Sequence, residues 1–169
     1  IDQFEVSAID LSGMGDSDNR ENYSPELYGK EILAVAEDSG FFNQRSSSPI
    51  VCGHSLGGYM SIHAANLSSG SVKGVIMIDS PIRPPNFDYS IHRSSGPIRK
   101  KKTYPDMGSI LERFKLTPDQ PTTFSFVLDY IAKHSVEKVN GGYEWKFDDT
   151  LFKKLGFTTM PKNHALDLS

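Results

Sequence analysis

The feature that most constrains this chain is Gly53-His54-Ser55-Leu56-Gly57, set between the apolar run Ile50-Val51-Cys52 and a series of small residues that begins at Leu56. The apolar run reads as a short, fully buried strand, and the small residues read as a helix. A serine at such a junction sits on a sharp turn with strained backbone angles. Glycine two positions before it, at Gly53, and two after it, at Gly57, removes the bulk that would collide there, so the hydroxyl stands exposed above the strand end. The helix behind it aims its first N–H groups at the place where negative charge would develop during acyl transfer. Gly and Ser are also common in ordinary turns. The flanking strand and helix, and a further glycine at Gly58, favour the strained reading.

Upstream, Phe4–Ile9 alternates apolar and polar side chains and ends at Asp10, a strand signal. Residues 11–23 read as a polar loop, too acidic and too rich in Ser and Asn to pack. Gly13 and Gly15 raise the question of a phosphate cradle, but no Lys-Ser/Thr follows and Asp16 and Asp18 would repel phosphate. Ser24-Pro25-Glu26 starts a helix by capping, fixed φ and a favourable charge, with Tyr28, Ile32, Val35 and Ala36 on one apolar face and Gly40 at its end. Downstream of Ser55 the helix carries Gly57, Gly58, Ser61, Ala64 and Ala65, and Val72–Ile78 forms a second apolar strand ending at Asp79. Strand, helix and strand at this spacing predict a parallel crossover.

Beyond Pro81, Pro84 and Pro85 the period changes to that of helices alone. Ser109-x-x-Glu112 reads as a capping box opening a helix with Ile110, Leu111 and Phe114. Phe124, Leu128, Ile131 and Ser135 mark the face of a longer helix, and Asp148 can cap a last one with Leu151, Phe152 and Leu155. The expected organisation is an α/β core over residues 1–81, a helical lid over 82–157, and a return towards the core over 158–169.

Gly53-His54-Ser55-Leu56-Gly57-Gly58 resembles the nucleophile elbow of the α/β-hydrolase superfamily. Asp10-Leu11-Ser12-Gly13-Met14-Gly15-Asp16-Ser17 resembles the loop after its fourth strand, with Ser12 where that pattern has Arg. Residues 129–135 and 145–148 are similar to stretches of the lid in some members. The resemblance implies a partial α/β-hydrolase fold with an inserted lid, Ser55 as nucleophile, and the Leu56 N–H as one oxyanion donor. It makes Asp10 a loop-shaping residue. It also implies that the first three and last two strands lie outside the chain, which is then an internal, nearly inert fragment of a serine hydrolase. By that topology a strand belongs between the segment ending at Asp10 and the one ending at Cys52, so Phe4–Ile9 is expected either to stand unpaired or to slide against 50–52.

A serine nucleophile needs a base, and the base needs an orienting acid. In the elbow families the acid follows the serine and the histidine comes last. None of the histidines here fits. His54 adjoins Ser55 on the turn and diverges from it; His63 lies two helical turns away; His92 falls in a polar segment; His134 sits on a lid helix; His164 has no room for the strands that should precede it. Asp79, at the end of the strand after Ser55, is a candidate acid, against a turn-capping role before Ser80-Pro81. Arg99-Lys100-Lys101-Lys102 reads as a solvated lid loop, and the lid aromatics Phe114, Tyr130, Trp145 and Phe147 read as core.

A formal net charge of −3 gives no reason to expect nucleic acid or an anionic membrane as partner, and no run is long and apolar enough for a membrane span. The lone Cys52 reads as a small buried hydrophobe and suits a reducing cytoplasm. No metal-ligand spacing or cofactor motif occurs, so none is expected. The reaction implied is hydrolysis of a small carboxylic ester or related acyl compound through an acyl-enzyme. The alternatives are a non-catalytic receptor on the same fold, and an acyltransferase or cofactor-free peroxidase using the same elbow.

Overall fold

The computed structural model describes residues 4–43, 48–80, 100–116, 121 and 124–155. Pro81, Pro84, Pro85, His92, Arg99 and His164 lie outside the described residues.

Helix α1 (Pro25–Asp38) starts where the sequence predicts. Ser24 is extended at φ −149°, its Oγ accepts the Leu27 N–H at 3.0 Å, and Pro25 takes the first helical position. Gly40, at φ 75°, ends it. Strand β1 (Ile50–His54) leads through Ser55 into α2 (Leu56–Leu67), and β2 (Gly74–Ile78) pairs with β1 in parallel, Ile50 opposite Gly74 and His54 opposite Ile78. The predicted crossover is therefore present. The small residues of α2 let it sit close to α1: a Cβ at Gly29 would lie 3.1 Å from the backbone N of Ala64, which is fully buried.

The sheet is less enclosed than its composition suggests. Ile50 is 56% exposed and Cys52 is exposed, contrary to the fully buried strand and buried cysteine predicted. In the pairing register Ile50, Cys52, His54, Ile76 and Ile78 share one face, and α2 packs against the other. Phe4–Ile9 forms no ladder with β1; Phe4 and Val6 are each 73% exposed. A groove of about 310 Å³ separates Ser7, Ile9 and Leu11 from Ile50–Gly53. Of the two outcomes expected for this segment, it stands unpaired.

The loop 11–23 does pack, which corrects its reading as too polar to do so. Leu11, Ser12, Gly13 and Tyr23 are buried, and Leu11 and Tyr23 share a core cluster with Tyr28, Met60, Leu151 and Leu155. Several of the polar groups that obscured this find partners at the loop's edges or on α1, while the buried Ser12 hydroxyl has none among the described residues. The Asp10 carboxylate accepts the Asp16 N–H at 2.9 Å, and Ser17 Oγ donates to the Asp10 carbonyl. The Ser12 N–H donates to Glu31, whose other oxygen is bridged by Arg20 at 3.1 Å.

The C-terminal region is not helical throughout. Helices α3 (Met107–Leu111), α4 (Ser125–His134) and α5 (Leu151–Lys154) are joined by a hairpin of β3 (Val136–Val139) and β4 (Gly142–Trp145), antiparallel with Val136 opposite Trp145. Asn140-Gly141 is the turn signal that marks it, and both Gly141 and Gly142 take positive φ. The capping box is displaced as well. Asp106 caps α3, accepting the Ser109 N–H at 2.9 Å, and Glu112 lies at the helix end. On α4 the buried residue is Ala132, while Phe124, Phe126, Tyr130 and Ile131 are exposed, so Tyr130 is not core. No helix among the described residues is long and apolar enough to cross a membrane.

One polar node ties α5 to the loop 11–23. Asp148, 7% exposed, accepts from Tyr23 Oη at 2.7 Å, Lys154 Nζ at 2.9 Å and the Thr150 N–H at 2.8 Å, while its own N–H donates to the Gly13 carbonyl at 2.8 Å. Burial alone would push the Asp148 carboxyl up. The hydrogen bonds from Thr150, Lys154 and Tyr23 outweigh it and hold the carboxyl well below the usual carboxylate range. Asp148→Ala is expected to cost about 3 kcal/mol in urea unfolding, because buried donors lose their acceptor, and Tyr23→Phe about 1 kcal/mol, because the carboxylate loses one of its donors. The Asp148 contribution is fully present above the unfolded carboxyl value of about 3.9 and is lost as pH falls below it. Asp148→Asn should therefore flatten the acid limb of a stability–pH profile.

Candidate active site

Ser55 joins β1 to α2 at φ 50°, ψ −114°, a backbone region that costs a non-glycine residue on the order of 1–3 kcal/mol. Hydrogen bonds on both sides of the residue hold it there. Its N–H donates to the Ile78 carbonyl at 3.0 Å, and its carbonyl accepts from the Gly58 N–H at 3.1 Å and from Ser80 Oγ at 2.8 Å. Its side chain makes no capping bond to α2, and the residue is exposed. The hydroxyl stands at the positive end of a twelve-residue helix, beside the first-turn N–H groups that have no acceptor within the helix.

The glycines divide the steric work differently from the sequence expectation. A Cβ at Gly53 would run into the backbone of Gly57 and Gly58, and one at Gly58 would run into the Ser80 side chain and approach the Gly53 carbonyl oxygen to 3.1 Å. A Cβ at Gly57 meets nothing within 4 Å among the described residues. The close approach is thus between Gly53 at the strand end and the first turn of α2, and Gly57 does not need to be glycine for space.

His54 and Asp79 meet at this edge of the sheet. His54 Nε2 lies 3.9 Å from Asp79 Oδ2, with the side chains 66% and 90% exposed, so water screens the pair. His54 turns to Asp79 and makes no hydrogen bond to Ser55 among the described residues. Asp79 itself sits at φ 46°, directly after β2. His134 stacks on Tyr130 at 3.9 Å, with Nδ1 on the Tyr130 carbonyl, and His63 lies within α2. The structure therefore brings Ser55, Leu56, His54 and Asp79 to one edge and leaves His63 and His134 elsewhere. The groove beside β1 reaches this edge at Gly53, His54 and Gly57.

Two readings of polar residues change. Lys101 is not merely solvated: it is 19% exposed, its N–H donates to Asp149, and its Nζ lies 3.3 Å from Glu137 and 3.7 Å from Glu144. Ser80, read in the sequence only as part of a turn, contacts the elbow directly. No local signal could have revealed that contact, because its partner lies twenty-five positions away.

Gly53→Ala is expected to destabilise the protein by about 2–3 kcal/mol, since two stretches of backbone would have to separate. Gly57→Ala should be neutral, or stabilising by up to about 1 kcal/mol through helix propensity. Urea midpoints of the two variants decide the matter, and equal losses would contradict the steric assignment.

The family model described as "Alpha/beta hydrolase family" matches residues 2–155. No curated protein matches the chain. Among solved structures, E-2-(acetamidomethylene)succinate hydrolase is similar at 21% identity and a TM-score of 0.60, over 83% of this chain and 50% of that one. A thioesterase domain from the curacin biosynthetic pathway matches at 20% identity and 0.59, over 88% and 55%. A hypothetical protein from Pseudomonas aeruginosa PAO1 matches at 22% identity and 0.58, over 83% and 51%. The chain spans about half the length of these structures, and the likeness establishes the fold. With a family match over nearly its whole length, and a strained serine between a parallel strand and a helix, the chain belongs to the alpha/beta hydrolase family.

Proposed function

We propose that this chain carries the nucleophile of a serine hydrolase acting on a small carboxylic ester or related acyl compound. The single observation that carries the reading is the backbone of Ser55, held at positive φ between β1 and α2 with its side chain exposed. A strained non-glycine conformation persists only where the surroundings enforce it, and here it lifts a hydroxyl to the N-terminus of a helix. Two similar structures are named as a hydrolase and a thioesterase domain, which agrees with acyl chemistry.

In this reading the Ser55 hydroxyl attacks the substrate carbonyl as its proton passes to a base. The Leu56 N–H stabilises the oxyanion, the leaving group departs with a proton, and water releases the acyl group from Ser55. Asp79, on the same sheet edge, is the candidate acid. The base is a histidine outside the described residues, and the second oxyanion donor comes from another loop. We assign residues 1–81 to the catalytic half and residues 82–157 to a lid, whose described part combines helices with the β3–β4 hairpin.

The full-length protein should react with a fluorophosphonate probe at Ser55 and hydrolyse members of a p-nitrophenyl ester panel. Ser55→Ala should take no label and lose about four orders of magnitude or more in kcat/KM. Ligand binding by a full-length protein that takes no label would support the receptor alternative instead. Transfer of the acyl group to an acceptor other than water would mark an acyltransferase.

A further inference from the structure

We propose that Ser80 is a positioning residue for the oxyanion donor, acting on the Leu56 N–H through the Ser55 carbonyl; this rests on the acyl-transfer reading above. The Ser55 carbonyl and the Leu56 N–H belong to one planar peptide unit and point in opposite directions. Whatever fixes the carbonyl therefore fixes the direction of the N–H. Ser80 Oγ donates to that carbonyl at 2.8 Å and also lies 3.1 Å from the Ile78 carbonyl. The same Ile78 carbonyl accepts the Ser55 N–H at 3.0 Å, so the hydroxyl spans both carbonyls that define the elbow.

The rest of the carbonyl's bonding leaves room for such a role. The Gly58 N–H reaches Ser55 O at 3.1 Å and the Tyr59 N–H only at 3.4 Å, so the Ser80 hydroxyl makes the shortest of the three contacts. With the Leu56 N–H directed at the oxyanion, the carbonyl of the same peptide points away from it, and Ser80 is backed against Gly58, where a Cβ would collide with it. Ser80 therefore touches no reacting atom. A hydrogen bond to a peptide carbonyl also polarises that peptide and strengthens the N–H as a donor. Both effects matter most when full negative charge rests on the oxyanion, in the transition state rather than in substrate binding.

The test uses the full-length protein with Ser80→Ala and Ser80→Thr. Rates are expressed per active site, by counting the sites that fluorophosphonate labels, and thermal midpoints are measured alongside. The expected result is a per-site kcat about five- to tenfold lower in Ser80→Ala with KM little changed, the fluorophosphonate rate falling in parallel, and recovery in Ser80→Thr, which keeps the hydroxyl. A per-site kcat unchanged in Ser80→Ala overturns the inference while leaving Ser55 as nucleophile. So does a loss of activity that follows only the loss of titratable sites or thermal stability, since that is a structural role. A wild-type protein that takes no label overturns the serine hydrolase reading, and this inference with it.

Discussion

The close approach of the end of β1 to the first turn of α2 is the constraint on which the rest of this structure depends. Gly53 lies against the backbone of Gly57 and Gly58 with no space for a side chain. Two main-chain segments brought that near must exchange direction within a single residue, and Ser55 absorbs the change at φ 50°. The strain is balanced by hydrogen bonds from the end of β2 and from the first turn of α2: the Ile78 carbonyl holds the Ser55 N–H, and Ser80 and Gly58 hold its carbonyl. Because β2 runs parallel to β1 in strict register, Ile78 arrives beside His54 and its carbonyl is in place for the turn. The sheet pairing and the exposed hydroxyl are two aspects of one geometry.

A second node fixes the C-terminal part of the described chain. The Asp148 carboxylate gathers Tyr23, Lys154 and Thr150, and so ties α5 to a loop more than a hundred positions away. An ionised group at 7% exposure is stable there because its oxygens are saturated by donors, one of them the cationic Lys154. Leu151 and Leu155 then complete the cluster around Tyr28 and Met60. The C-terminal region thereby packs against the same helical layer that supports the elbow.

Local elements were legible where one short stretch contains both the signal and its satisfaction. Ser24, Pro25 and Gly40 bound α1 because capping, fixed φ and the left-handed stop act within a few residues. The elbow was legible for the same reason. The β3–β4 hairpin was hidden, although Asn140-Gly141-Gly142 announces it, because Val136 and Val139, three positions apart, also suit a helical spacing and directly follow a helix. The loop 11–23 misled because its buried members, Leu11 and Tyr23, are outnumbered by polar neighbours whose partners are close at hand. At α3 two candidate caps lie three residues apart. Asp106 holds the cap by accepting both the N–H and the hydroxyl of Ser109.

By itself the sequence determined that a serine would be lifted out of a bend between a strand and a helix, since that requirement is written in the residues within a few positions of Ser55. Tertiary structure decided which glycine the bend needs, which hydroxyl braces it, and which carboxylate is buried. Gly58 rather than Gly57 faces Ser80, Ser80 reaches Ser55 from just beyond the end of β2, and Asp148 reaches Tyr23 across most of the chain. Those choices depend on distances between residues remote in sequence, set only when the strands pair and the helices pack. The physical difference is that backbone sterics are local, whereas close packing and the satisfaction of buried polar groups are not.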